Sequence, residues 1–252
     1  MKALRTFAWL LQVILLGYAV MWTLGLFIVG PLFLFFLYTG RVRIRGYWRL
    51  VGAALRGRLM ILPNHPSLLF ETFGLGMILF PWYLIVPWCF IWSVPDKRLL
   101  DGWGMPGWIR VALRCIEMDR TSPKAGVGGN SDMKRALFWR GIIVSHPEKG
   151  RTFGDANRNK VPLVRGTRRM QEIDSGLTLT AHQGHARILP CWVQVEDDAP
   201  VSISTSFGRM FGKANKKYRP VVYSFHRPAY RTSEPFNREQ ENKRLQDEIF
   251  SS

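Results

Sequence analysis

Cysteine is scarce: Cys89, Cys115 and Cys191 are the three in the chain and lie far apart. They cannot form a disulfide framework, and no Cys-x-x-Cys pair offers a zinc site, so a reducing compartment is the simplest reading. Acid is scarce too. The 18 Asp+Glu face 35 Lys+Arg, a net charge of +17. An imbalance of that size calls for an anionic partner: a membrane surface, a nucleic acid or a phosphorylated substrate. Internal repeats and low-complexity tracts are missing. What fills the chain is apolar, 47% of residues with 13% aromatic, which excludes disorder for most of it. Its 252 residues suffice for one ordinary domain, or one domain plus a small appendage, with a real core.

Charge is absent from Phe7 to Tyr38, where Gln12 is the one strongly polar residue. As an unbroken helix this run would measure about 48 Å, while a bilayer core takes about 20 residues. It is too long for one upright span, and too long for a buried soluble helix. It either tilts as a single span or folds into a hairpin, with Gly17, Gly25 and Gly30–Pro31 as break points. Lys2 and Arg5 precede it, and Arg41, Arg43 and Arg45 follow. Lys and Arg keep to the cytoplasmic side, so basic flanks at both ends favour the hairpin. A cleaved signal peptide would have a shorter apolar core and a small-residue cleavage site. The expectation is an N-terminal hydrophobic helical membrane anchor over residues 1–40, followed by a second unit over 41–252.

In that second unit, residues 41–45 alternate polar and apolar, as in a half-buried strand. Leu59 to Leu62 is an apolar run ending at Pro63–Asn64, as in a buried strand. Further strands are expected at 115–118, 141–144, 188–195 and 221–225. Helices are expected at 68–79, 108–113, 133–140, 169–182 and 237–250, and loops at 121–132 and 154–167. Phe80 to Trp92 is aromatic and interrupted by Pro81 and Pro87; it suits a membrane interface or an ordinary core equally. Strands alternating with helices imply an α/β fold with a mixed twisted sheet flanked by helices.

Two polar clusters follow strand ends, where α/β proteins bind ligands. The first is Asn64–His65–Pro66–Ser67. Imidazole titrates near operating pH, so His65 is a candidate general base, and Glu71, within about one helical turn, is placed to orient it. A capping role for this histidine fits equally. The second cluster runs from Ser145 to Thr152. There Gly150 permits close backbone approach, Arg151 offers a bidentate fork for phosphate, and Lys149 adds a point charge; a solvated turn is the plain alternative.

Together these segments resemble the glycerolipid acyltransferase family that includes bacterial 1-acylglycerol-3-phosphate acyltransferases. Asn64–His65–Pro66–Ser67 resembles that family's first motif, Asn-His-x-x-x-x-Asp. His146–Pro147–Glu148–Lys149–Gly150–Arg151 resembles the third, Phe-Pro-Glu-Gly-Thr-Arg. Ile116 to Arg120 matches the arginine-ended second motif, and Ile188–Leu189–Pro190 the fourth. The resemblance covers roughly residues 40–225, and the apolar N-terminus fits it. The chain departs from the pattern at Phe70, which stands where the family has its aspartate, one residue before Glu71, and at Lys149.

The resemblance implies a membrane-bound O-acyltransferase with no bound cofactor and no metal. The acyl donor would be acyl-CoA or acyl-carrier protein, and the first acceptor 1-acylglycerol-3-phosphate, giving phosphatidate. It implies His65 as base and Glu71 as its orienting acid. Asn64, Ser67, Arg120, Lys149, Gly150 and Arg151 would bind substrate, and Glu148 would fix local structure or contact the acceptor head group. The site would lie on the cytoplasmic face of the bilayer. A different lyso-lipid or glycolipid acceptor, or a non-catalytic basic membrane-associated binding protein, stays open. His182 and His185 share a helical face without an acid cluster, so no metal is expected. Lys213, Lys216, Lys217 and Arg219 suit anionic lipid headgroups or a solvated turn. Arg165, Arg168 and Arg169 offer contacts to phosphates. Phe207, Phe211 and Tyr218 lie among basic residues, but without an RNA-binding motif no nucleic-acid partner is expected.

Overall fold

In the computed structural model the described residues are 25–65, 91–102, 104–112, 114–119, 126–148, 161–173, 176–194 and 221–252, with 15, 19, 23, 74, 75 and 77–79. They form a mixed α/β fold. Its strands are β1 (Val42–Arg45), β2 (Leu59–Pro63), β3 (Ile91–Ser93), β4 (Ile142–Val144), β5 (Leu163–Arg165), β6 (Arg168–Met170), β7 (Arg187–Gln194) and β8 (Val221–Ser224). The main sheet has the order β1-β8-β7-β2-β4-β3, and β5 and β6 make a separate hairpin. Strands β7, β2, β4 and β3 run parallel. β8 is antiparallel to β7, and β1 parallel to β8, so that edge is reversed.

β2 lies inside the sheet, and all five of its residues are buried, as an unbroken apolar run between parallel neighbours predicts. Its side chains alternate between two layers. Leu59 and Ile61 join one core with Phe33 and Phe36 of α1 (Gly30–Tyr38), Leu50, Ala53 and Ala54 of α2 (Tyr47–Arg56), and Leu75, Met77, Ile78 and Leu79. Met60 and Leu62 join the other. Opposite them pack Met133, Ala136 and Leu137 of the helix Gly126–Phe138, Leu177 and Ala181 of Leu177–Gln183, and Leu245 and Ile249 of Arg238–Phe250. With the short helices α3 (Lys97–Gly102) and α4 (Gly107–Ala112) ahead of them, these three are α5, α6 and α7.

Several elements differ from the sequence expectation. α2 was not anticipated. Gly46 starts it at φ 72, and its amphipathic face buries Leu50, Val51, Ala53 and Ala54. α5 begins at Gly126, inside the expected loop 121–132, because burying Met133, Ala136 and Leu137 outweighs the weak helix propensity of its glycines. The helix expected over 169–182 is confined to α6. Its first part is instead β6, antiparallel to β5 across a turn that opens with Gly166 at φ 61. Residues 115–118 make isolated bridges, Ser93 to Cys115 and Asp96 to Met118, rather than a strand.

Most of the expected anchor lies outside the described residues. Its C-terminal part is a π-helical turn, Gly25–Val29, running directly into α1. Gly30–Pro31 does not end this run; the change from π to α winding falls there, the kind of irregularity that goes with a proline inside a helix. Phe33 and Phe36 are buried, while Phe27 at 76%, Leu34 at 66% and Tyr38 at 93% are exposed. Among the described residues no helix is long and apolar enough to cross a membrane.

Gly46 has two reasons to be glycine. Its φ is 72, and a Cβ would lie 2.3 Å from the backbone oxygen of Phe225. Gly46→Ala is expected to destabilise the fold by about 2–4 kcal/mol through left-handed strain and overpacking, read as a lower denaturant midpoint.

Candidate functional site

Parallel strands end with N–H groups that the sheet cannot satisfy, and a buried one needs a partner. At the carboxyl ends of β2 and β4 that partner is a side chain. Glu148 is fully buried. Its Oε1 accepts from the His65 backbone N–H at 2.6 Å, and its Oε2 from the Gln171 N–H at 2.8 Å. A buried carboxylate is tolerable when its oxygens are hydrogen-bonded. One side chain thus ties the turn after β2 to the turn after β4 and to the segment after β6. Both oxygens face backbone donors of the chain itself.

Asn64 makes a second anchor. It is 1% exposed. Its Nδ2 donates to the Val193 carbonyl at 3.1 Å, and its Oδ1 accepts from the Val193 N–H at 2.6 Å. The side chain continues the β2–β7 pairing where the main chain turns away. His65 is thereby held at the strand end from both sides, half-buried.

His146 completes the cluster. Its ring stacks on His65 with centroids 4.2 Å apart and planes inclined by 11°. Nothing in the local sequence pairs His146 with His65. The signal was the parallel register, Ile61 beside Val144, which brings the two post-strand histidines to one rim. An imidazole held this way can take and return a proton without reorganising its backbone.

Asn64, His65 and Glu148, drawn from two motifs far apart in sequence, are therefore brought together. Ser67, Glu71, Arg120, Lys149, Gly150 and Arg151 lie outside the described residues, as do Lys213, Lys216, Lys217 and Arg219.

Two arginines weighed for phosphate contacts have other work. Arg165 pairs with Asp247 and lies 4.9 Å over the Phe250 ring. Arg168 donates to the Phe250 carbonyl and lies 5.0 Å over Trp192. Both clasp the β5–β6 hairpin to α7. Burial, and then Arg45, holds the Arg168 guanidinium below its ordinary value. His182 meets Thr232 through Nδ1 at 3.0 Å and stacks on Phe236. Among the described residues no group of three metal-ligating side chains occurs. Cys191 is fully buried in β7, and burial pushes its thiol far up, out of reach as a nucleophile.

No protein-family profile matches this chain, and no curated protein matches it either.

Replacing one carboxylate oxygen with an amide NH₂ would set a donor against a donor. Glu148→Gln is expected to cost about 2–3 kcal/mol and to lower the thermal midpoint by roughly 5–10 °C, read by calorimetry.

Proposed function

We propose that this chain is a membrane-bound O-acyltransferase that moves an acyl group from acyl-CoA or acyl-carrier protein to a lysophospholipid hydroxyl, foremost 1-acylglycerol-3-phosphate. One observation carries the reading. The carboxylate of Glu148 grips the backbone of His65, uniting the two segments that resemble the acyltransferase motifs at the rim where an α/β sheet takes its ligands.

His65 removes the acceptor's hydroxyl proton as that oxygen attacks the thioester carbonyl. The tetrahedral intermediate collapses, the C–S bond breaks, and the imidazolium returns its proton to the leaving thiolate. Glu71 orients the imidazole. Arg151, with Arg120 and Lys149, takes the acceptor phosphate, Ser67 and Gly150 shape the pocket mouth, and Asn64 fixes the backbone beside His65 from beneath. Holding both substrates supplies much of the acceleration. The exposed apolar residues of the π-helical turn and α1, among them Leu26, Phe27, Ile28 and Leu34, support an anchor over residues 1–40 with the unit 41–252 at the cytoplasmic face, since acceptor and product are both lipids. Lys149, a cation absent from the resembled motif, favours testing other lyso-lipid and glycolipid acceptors beside the first.

Membranes holding the chain, given labelled acyl-CoA and lysophosphatidate, are expected to label phosphatidate, and His65→Ala to abolish that label. Label in another lipid from the panel moves the acceptor and keeps the mechanism. No label with either donor overturns the proposal in favour of a binding protein.

The stacked pair yields a separate expectation. His146→Phe keeps a ring against His65 and should hold kcat within about threefold, while His146→Ala frees the imidazole and should cost about tenfold or more. Equal losses in both variants would refute a positioning role by stacking.

A further inference from the structure

The opposite end of the sheet carries a second concentration of charge. Where β2, β4 and β7 begin, a cavity of about 350 Å³ is lined by Arg56, Arg58, Arg140, His185, Arg187 and Arg231. The backbone explains why they converge. The Arg58 N–H donates to the Arg140 carbonyl at 3.2 Å, and the Arg187 N–H to the Arg58 carbonyl at 2.8 Å. Three arginines thus lie in one row across neighbouring strand entries, about 4.8 Å apart per strand. Arg231 joins through Tyr230, which bridges Ile188 beside Arg187.

Like charges so close destabilise one another. Burial, with Arg56 and Arg231 nearby, depresses the Arg187 guanidinium. Among the described residues no carboxylate forms an ion pair with any of these five arginines.

Cations at helix C-termini are common because they satisfy the last carbonyls. Arg140 does so, donating to the Arg56 carbonyl at 3.2 Å. That role does not account for the set. Arg58, Arg140 and His185 adopt φ of 50, 62 and 48, a region that glycine or asparagine enters at less cost. Two arginines and a histidine stand there in place of glycine, and all line one basin.

We propose that this basin is an anion site for a phosphate-bearing ligand, held by the guanidinium forks of Arg58, Arg187 and Arg231. Forked donors match phosphate oxygens in pairs, and 350 Å³ admits one or two phosphate groups rather than a long chain. The ligand is a free phosphorylated molecule or a lipid headgroup. The site does not rest on acyl transfer, because it lies at the strand entries and His65 at the strand exits.

The test uses the full chain in neutral detergent. Thermal unfolding is followed with inorganic pyrophosphate, and binding to phosphatidylcholine vesicles is measured with and without phosphatidate. Pyrophosphate is expected to raise the midpoint for wild type, His65→Ala and Arg151→Gln alike. Arg231→Gln and the pair Arg58→Gln/Arg187→Gln should weaken the apparent Kd by about tenfold or more. Without ligand these variants should unfold no earlier than wild type, since a repulsion has been relieved. If the pair fails to fold, Arg231→Gln alone decides. Arginine-dependent binding of phosphatidate vesicles without a pyrophosphate effect assigns a lipid headgroup, and the reverse assigns a free phosphate. Undiminished binding in the cavity variants, or no response of wild type to either probe, overturns the site. Loss of binding in Arg151→Gln alone would move the phosphate to the transfer site and overturn it as well.

Discussion

Everything at the rim of this sheet hangs on one buried carboxylate. Parallel strands can be packed from apolar side chains alone, but their exits cannot, because each leaves backbone donors that water no longer reaches. Glu148 meets two such donors, those of His65 and Gln171, and closes three segments of chain around itself. Asn64 does the same neutral work toward β7. The half-buried His65 therefore rests on side chains that are themselves buried. A residue just past a strand end is here fixed by side chains one layer beneath it.

Around that rim the fold is an ordinary division of apolar labour. β2 presents Leu59 and Ile61 to one layer and Met60 and Leu62 to the other. The C-terminal helix α7 is seated by burial of Leu245 and Ile249, by Asn237 accepting from the Glu239 and Gln240 N–H groups at its start, and by a buried Thr178–Asn242 hydrogen bond at 2.7 Å. Arg165 and Arg168, which look like phosphate ligands in isolation, close this helix against the hairpin.

The strands were legible where hydrophobicity alone decides. β1, β2, β4, β7 and β8 fall where alternation or an unbroken apolar run predicts them, because burial is what makes them strands. Elements decided by tertiary contact were not legible. Nothing in the glycine-rich stretch ahead of Met133 announces the first turns of α5. Arg168 to Met170 carries a helical-looking pattern, yet pairs as a strand because Gly166 can turn the chain. At the site, the post-strand position of His65 was readable, while its stacking on His146 depends on register between strands distant in sequence. The arginine basin was invisible for the same reason. Its members are scattered from Arg56 to Arg231 and meet only across strand entries.

Phe33 and Phe36 sit in the same apolar core as Leu59 and Ile61. The segment that carries them is consequently part of the core and not interchangeable. Recombination that swapped it for another apolar segment would extract two aromatic rings from beneath the sheet, leaving voids that neighbouring side chains fill only in part. Sequence drift in this segment is then governed by two masters, the solvent outside and the core within. A change at position 33 or 36 is felt at β2, whereas one at position 27 or 34 is felt only by whatever surrounds the protein.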